Sequence, residues 1–172
     1  MKQICELNDK IILGQDGLSS MAPRLTARAI VKNQDGLYAV MYADKFKLHS
    51  LPGGGVESDE DVLTALHREV YEETGCVCDE IQEVGIVSEN RASLDYTQIN
   101  HYFVVTTNYT SCENYLTELE QANRTVVKWV TFSEAIRLIN EQDFDRIQAK
   151  YLKARDVVAL QEYAKLFTER RK

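Results

Sequence analysis

Short apolar-rich runs separated by polar turn clusters fill the middle of the chain, and apolar residues at helical spacing take over towards its end. Runs at residues 26–31 and 37–42, joined by Lys32-Asn33-Gln34-Asp35-Gly36, predict a strand hairpin, and a short strand is expected at 47–51. Further strands are expected at 81–87, 101–107 and 126–130. A helix is expected from Ser133, as its N-cap, through Ile136, Leu138 and Ile139. A long helix should follow over Asp143 to about Thr168, where Val157, Leu160, Ala164 and Phe167 form an apolar seam. The seam predicts docking on the helix's own domain, with a homodimer contact as the alternative. Residues 1–23 are expected to add a hairpin through Ile4 to Leu13. Strands around an early helix, with a later helix to cover the other face, predict an α/β fold, a mixed sheet between helical layers.

One segment carries chemistry. Pro52-Gly53-Gly54-Gly55 is expected to be a loop whose backbone can approach a ligand closely, because no Cβ stands in the way. Ser58, with Asp61 three residues on, fits the start of a helix, and Gly75 fits its end. At about 100° per residue, Glu69, Glu72 and Glu73 stand at i, i+3 and i+4 and project from one side of adjacent turns. A solvated acidic face is the ordinary outcome for a glutamate-rich helix. Here Leu63, Leu66 and Val70 define the apolar stripe, and Glu73 projects between Val62 and Leu66, on its edge. Three carboxylates held together raise one another's pKa, and a hard cation that takes oxygen ligands removes the conflict. Mg²⁺ or Mn²⁺ is the expected occupant.

Composition narrows the classes. At 172 residues and 44% hydrophobic, a single domain over the whole chain is the simplest organisation. Its 27 acidic and 20 basic residues leave a formal net charge of −7. That balance disfavours long nucleic acid as a partner, and a phosphate ligand would need cations at its site. No apolar run has transmembrane length and the first residues lack the apolar stretch of a signal peptide, so no membrane partner and a cytoplasmic location are expected. Cysteines at positions 5, 76, 78 and 112 fit neither a zinc pattern nor a disulfide framework and read as reduced thiols.

Gly54, Glu60, Arg68, Glu69, Val70, Glu72, Glu73, Gly75 and Cys76 together resemble the Nudix box, G-x5-E-x7-R-E-U-x-E-E-x-G-U with U aliphatic. Only Cys76 departs from the pattern. The resemblance implies an αβα Nudix sandwich with a core over about residues 24–140, flanked by an N-terminal extension (1–23) and a C-terminal helical extension (143–170). It also implies metal-dependent hydrolysis of a diphosphate linkage in a nucleoside diphosphate derivative. By the same resemblance Glu69, Glu72 and Glu73 are the metal ligands, and Arg68 is a cation that orients a glutamate. Glu69, or a carboxylate from a distant loop, serves as general base. Gly53 and Gly54 offer backbone to metal or phosphate, and Glu57 and Glu60 rank as supporting residues.

Outside the box, Arg28 and Arg91 are candidates for phosphate, Tyr96 and Tyr102 for stacking on a base, and Glu118 and Glu120 for a remote base; for each, ordinary surface or packing use is favoured. His49 and His101 read as strand residues and His67 as solvent-facing. Family members that cleave ADP-ribose tend to carry a proline beyond the box, whereas this chain has prolines only at 23 and 52. A small nucleotide such as a nucleoside triphosphate, ordinary or modified, is the favoured substrate. A nucleotide sugar, a dinucleoside polyphosphate, an RNA 5′ end and a non-catalytic nucleotide sensor are the alternatives.

Overall fold

The computed structural model describes residues 1–110 and 115–169. Its centre is an eight-stranded mixed sheet. Strand β1 (Gln3–Asn8) leads into a single helical turn, α1 (Asp9–Leu13), and β2 (Arg24–Lys32) and β3 (Tyr38–Ala43) form the expected hairpin. Its turn closes through Asn33, whose carbonyl accepts Gly36 N–H at 3.0 Å and whose side-chain oxygen accepts Leu37 N–H at 2.9 Å. Then come β4 (Leu48–Ser50), β5 (Gly53–Gly55), α2 (Val62–Thr74), and two long strands, β6 (Cys76–Arg91) and β7 (Tyr96–Thr110). The chain closes with α3 (Glu118–Ala122), β8 (Thr125–Val130), α4 (Phe132–Asn140) and α5 (Ile147–Glu169). The order is β1-β6-β7-β2-β3-β4, with β5 on β2 and β8 on β3; β1/β6 and β2/β7 run parallel and the other pairs antiparallel.

Successive side chains of β2 point to opposite faces of the sheet. Ala27, Ala29 and Val31 join Leu66 and Val70 of α2 in one apolar cluster. Ile30 joins Val40, Tyr102 and Ile139 in a second, with Tyr151, Leu160 and Tyr163 of α5. The sheet is therefore covered on both faces, as the αβα reading requires. Leu160 of the α5 seam is buried and Val157 packs against the same cluster, so the seam docks on its own sheet.

Several local readings change. The expected N-terminal hairpin is instead β1 beside β6 followed by a helical turn, because the Asn8 side chain caps Ile11 N–H at 3.1 Å and Gly14 stops the turn in a left-handed conformation. The cap of α2 is Asp61, whose carboxylate accepts Thr64 N–H at 2.7 Å, and Ser58 stays in the preceding turn. Thr131 rather than Ser133 caps α4. Helix α5 starts at Ile147 rather than Asp143, whose side chain accepts Phe144 N–H at 2.9 Å instead. Leu63, placed in the buried stripe, is 48% exposed, and Ala65 takes the inward position. Cys5, Cys76 and Cys78 are reduced thiols; Cys112 and the Phe167 side chain lie outside the described residues. No helix among the described residues is long and apolar enough to cross a membrane.

Candidate active site

The glycine segment is a strand rather than a loop. Gly53, Gly54 and Gly55 pair antiparallel with Arg28, Ala27 and Thr26 of β2, which fixes their backbone against the sheet. The approach is too close for a side chain. A Cβ at Gly53, where φ is +127°, would lie 2.2 Å from the Ala27 carbonyl, and one at Gly54 would lie 2.1 Å from Glu69 Oε1. The box glycines thus bring main chain against a box carboxylate.

Helix α2 supplies the acids. Glu73 is 7% exposed, and its Oε2 accepts Gly53 N–H at 2.6 Å. Burial pushes the Glu73 carboxyl well above the usual range and the charge of Glu69 adds to that, with Glu120 contributing a smaller push; Gly53 N–H and Arg28 oppose it. Burial also raises Glu69, against the hydrogen bond and charge of Arg68. An acid on the edge of the apolar stripe is what the helical projection predicts, and its buried carboxyl is the result.

Arg68 gathers the remaining acids. Its Nη1–H donates to Glu69 Oε1 at 2.9 Å and to Glu72 Oε2 at 3.1 Å, and its Nη2–H donates to Gly55 O at 2.9 Å. Glu60 receives the other edge of the guanidinium, from Nε at 3.1 Å to Oε2 and from Nη2 at 2.6 Å to Oε1. That pairing holds Glu60 below the usual carboxylate range. Among the described residues, no group of three or more His, Cys, Asp or Glu side chains is gathered in metal-binding geometry. Glu69 and Glu72 turn to Arg68, and Glu73 turns to the glycine strand.

The candidates outside the box divide. Arg28 lies at the centre, its Nη1–H donating to Gly53 O at 2.7 Å. Glu120 is near enough for its charge to act on Glu73, although its carboxylate accepts Thr117 N–H at 2.8 Å in a capping box. Glu118 is exposed on the same short helix and Glu57 is exposed before α2. Arg91 is tied to Glu89 in the interior, Tyr96 donates to Gln98, and Tyr102 is fully buried, so these three are structural. His49 and His101 are half-buried strand residues and His67 is exposed, as expected. Two residues escape the sequence reading. The Arg24 guanidinium lies against Gly55, and Asp156 of α5 accepts Leu51 N–H at 2.9 Å. Arg24 shares a strand face with Arg28, a signal that was available; Asp156 carries no local signal.

A cleft of about 930 Å³ opens between β4 and the start of α5, lined by Lys45, Phe46, Leu48, Phe144, Arg146 and Gln148. The Arg146 guanidinium stands 5.0 Å from the Phe46 ring centroid and Lys45 Nζ 5.5 Å from it. Leu48 belongs to the strand that feeds Gly53, so by chain length the two are at most about 18 Å apart.

The fold and its relatives agree. A Nudix hydrolase from Nitrosomonas europaea is similar at 19% identity, with a TM-score of 0.58 over 78% of this chain and 89% of that one. A MutT Nudix hydrolase from Burkholderia pseudomallei is similar at 20% identity, TM-score 0.56, over 83% of this chain and 98% of that one. The Nudix domain of Shewanella oneidensis NrtR, solved with ADP ribose, is similar at 20% identity, TM-score 0.56, over 78% of this chain and 88% of that one. No curated protein matches the chain in sequence. The NUDIX domain family itself matches residues 22–154. With that span matched and every glutamate of the box in place, the chain belongs to the NUDIX domain family and is an enzyme of its pyrophosphohydrolase class.

Proposed function

We propose that the chain hydrolyses a diphosphate linkage in a small nucleotide, most simply a nucleoside triphosphate, ordinary or modified. The observation that carries this reading is the seating of two glutamates, the buried Glu73 on Gly53 N–H and the partly buried Glu69 against Gly54. Carboxyls pushed up by burial, all-oxygen donors and a backbone with no Cβ in the way fit a hard divalent cation. Glu69, Glu72 and Glu73 would hold Mg²⁺, with Mn²⁺ as its substitute, and the cation would supply neutralisation of the phosphate oxygens and a more acidic water.

The protein's own groups do the rest. Arg68 holds Glu60, Glu69 and Glu72 on one guanidinium and Gly55 O beside them, which fixes the acids relative to the strand. Arg28 fixes the Gly53 carbonyl. Glu69 is the favoured general base, and Glu120 is the acid of a distant segment whose charge acts on Glu73. The cleft beside Phe46 and Phe144 offers aromatic rings to a nucleoside, with Lys45 and Arg146 balanced by Asp143 and Asp145 around them. The reduced thiols fit a reducing compartment, for which we take the cytoplasm.

A panel of nucleoside di- and triphosphate derivatives, incubated with Mg²⁺ in heavy-oxygen water, tests the reading. Release of phosphate or pyrophosphate with the label on phosphorus is the expected result. Label in a sugar hydroxyl or a carboxyl product would place the enzyme in another hydrolase class, and tight binding without turnover would make it a nucleotide sensor.

A further inference from the structure

Beyond the β2–β5 ladder, the segment that delivers the glycine strand is held at four more points. Leu51 N–H donates to Asp156 Oδ2 at 2.9 Å, Ala29 N–H to Pro52 O at 2.9 Å, Gly53 N–H to Glu73 Oε2 at 2.6 Å, and Arg28 Nη1–H to Gly53 O at 2.7 Å. Three of these anchors belong to β2 or to the box helix. The fourth comes from α5, 105 residues away in sequence.

Asp156 is 0% exposed, and its other oxygen accepts Tyr102 O–H at 2.5 Å. A buried carboxylate is expensive unless its oxygens and charge are matched. Arg155 lies beside it, Nε 3.4 Å from Oδ1, but that Nε makes no hydrogen bond, and Arg155 Nη1 turns away to Asn100 Oδ1 at 3.3 Å and Glu89 Oε1 at 3.7 Å. The hydrogen bonds of the Asp156 carboxylate therefore go to Leu51 and Tyr102. Tyr102 sits on β7 and could be anchored by any polar partner; Leu51 is two residues from the strand on which Glu73 is seated. Pro52 between them has no N–H of its own, so Leu51 N–H is the last donor before Gly53.

Tolerance at this point is small. Gly54 stands so close to Glu69 that a single added carbon would collide with the carboxylate, so a displacement of the segment moves main chain against both acids at once. We propose that Asp156 is a positioning residue for the reaction: its carboxylate fixes Leu51 N–H and thereby sets where Gly53 and Gly54 meet Glu73 and Glu69. It rests on the reading that these two glutamates carry the chemistry. Helix α5 is then a structural wall of the active site rather than an appendage to the core.

The test compares Asp156→Ala with Asp156→Asn in the full chain. Amide hydrogen exchange at Gly53, with neither metal nor nucleotide present, reads position directly; turnover of ATP with Mg²⁺, or of the best nucleotide in the panel above, reads its consequence. In folded Asp156→Ala, Gly53 exchange should quicken at least ~10-fold and kcat should fall at least ~10-fold, with KM within about 3-fold. Asp156→Asn keeps an oxygen for Leu51 N–H and should restore both to within about 3-fold of wild type. Wild-type exchange at Gly53 in Asp156→Ala would overturn the proposal, and so would equal losses in the two variants, which would assign the effect to charge. Should Asp156→Ala not fold, Asp156→Ser, whose hydroxyl is too short to reach Leu51, is read in its place with the same two outcomes. If wild type turns over no nucleotide the proposed reaction fails, while the exchange comparison still decides the role of Asp156.

Discussion

Arg68 and Glu60 form a two-pronged pair across the turn before α2, one guanidinium edge against one carboxylate. The same guanidinium reaches Glu69, Glu72 and Gly55 O, so it is the common brace of the site. Lysine can supply the charge but not the fork. Arg68→Lys should lower kcat at least ~10-fold, with Tm within about 5 °C of wild type. Steady-state kinetics beside a melting curve decide it. A fully active Arg68→Lys would reduce the brace to a surface ion pair.

Glu73→Gln keeps the size of the side chain and an oxygen for Gly53 N–H but removes the charge. If Glu73 is a metal ligand, kcat should fall at least ~100-fold, equivalent to about 2.7 kcal/mol of transition-state stabilisation. Without metal the variant should be as stable as wild type or slightly more so, because repulsion from Glu69 is relieved, and its added stabilisation by Mg²⁺ should shrink. Thermal denaturation with and without Mg²⁺ separates these effects. Near-normal turnover, or a marked loss of metal-free stability, would move the role to Glu69 and Glu72.

The same carboxyl predicts how metal-free stability varies with pH. Burial, and then the charge of Glu69, raise Glu73 above the value it has in the unfolded chain, so the folded state holds its proton to higher pH. The resulting stabilisation is fully present below the unfolded value, near 4.5, and is lost as pH rises through the folded value. Across that window wild type should lose at most about 1.4 kcal/mol per pH unit relative to Glu73→Gln. Chemical denaturation in chelator at a series of pH values gives the difference. A difference that stays flat from mildly acidic to neutral pH would show that Glu73 is not buried as an acid.

Turnover should need free Mg²⁺ or Mn²⁺, stop on chelation and return when metal is restored. Calcium should bind and support less chemistry, because its looser coordination holds phosphate oxygens less rigidly. Activity that survives exhaustive chelation would remove metal-assisted hydrolysis.

The parts of this molecule that could be read from sequence are those whose partners are near in sequence or fixed by period. Glu69, Glu72 and Glu73 fall on one side of α2 because helical spacing puts them there, and the β2–β3 turn is written in Asn33 and Gly36. The cap of α2 slipped from Ser58 to Asp61, since two good capping residues lie within one turn and local preference does not choose between them. Gly53–Gly55 reads as a loop by composition and becomes a strand because β2 supplies the pairing. Length was missed in β6 and β7, where polar residues such as Glu89, Gln98 and Asn100 interrupt the apolar runs yet are buried in hydrogen bonds to one another and to Arg91 and Arg155. Asp156 could not be found at all. A charged residue next to an apolar seam looks solvated until its distant partner, Leu51, is in place.

Tyr151 of α5 donates its hydroxyl to Asp9 of α1 at 2.7 Å, across 142 residues, and β1 lies parallel to a strand that begins with Cys76. In a chain made from its N-terminus, β1 has no sheet to join until β6 exists, and Asp9, which accepts Ser93 N–H at 2.6 Å, does not meet the Tyr151 hydroxyl until α5 has left the ribosome. Contacts of such long sequence separation slow folding, since the intervening loop must be closed before they contribute. An incomplete chain would carry β1 with an open strand edge until β6 is made, and the Asp9 carboxylate without its Tyr151 hydroxyl for most of its synthesis, the interval in which incompletely packed chains aggregate. Late closure thus makes α5 the gatekeeper of solubility: chains shortened before Tyr151 are expected in the insoluble fraction even though every glutamate of the box has already been translated.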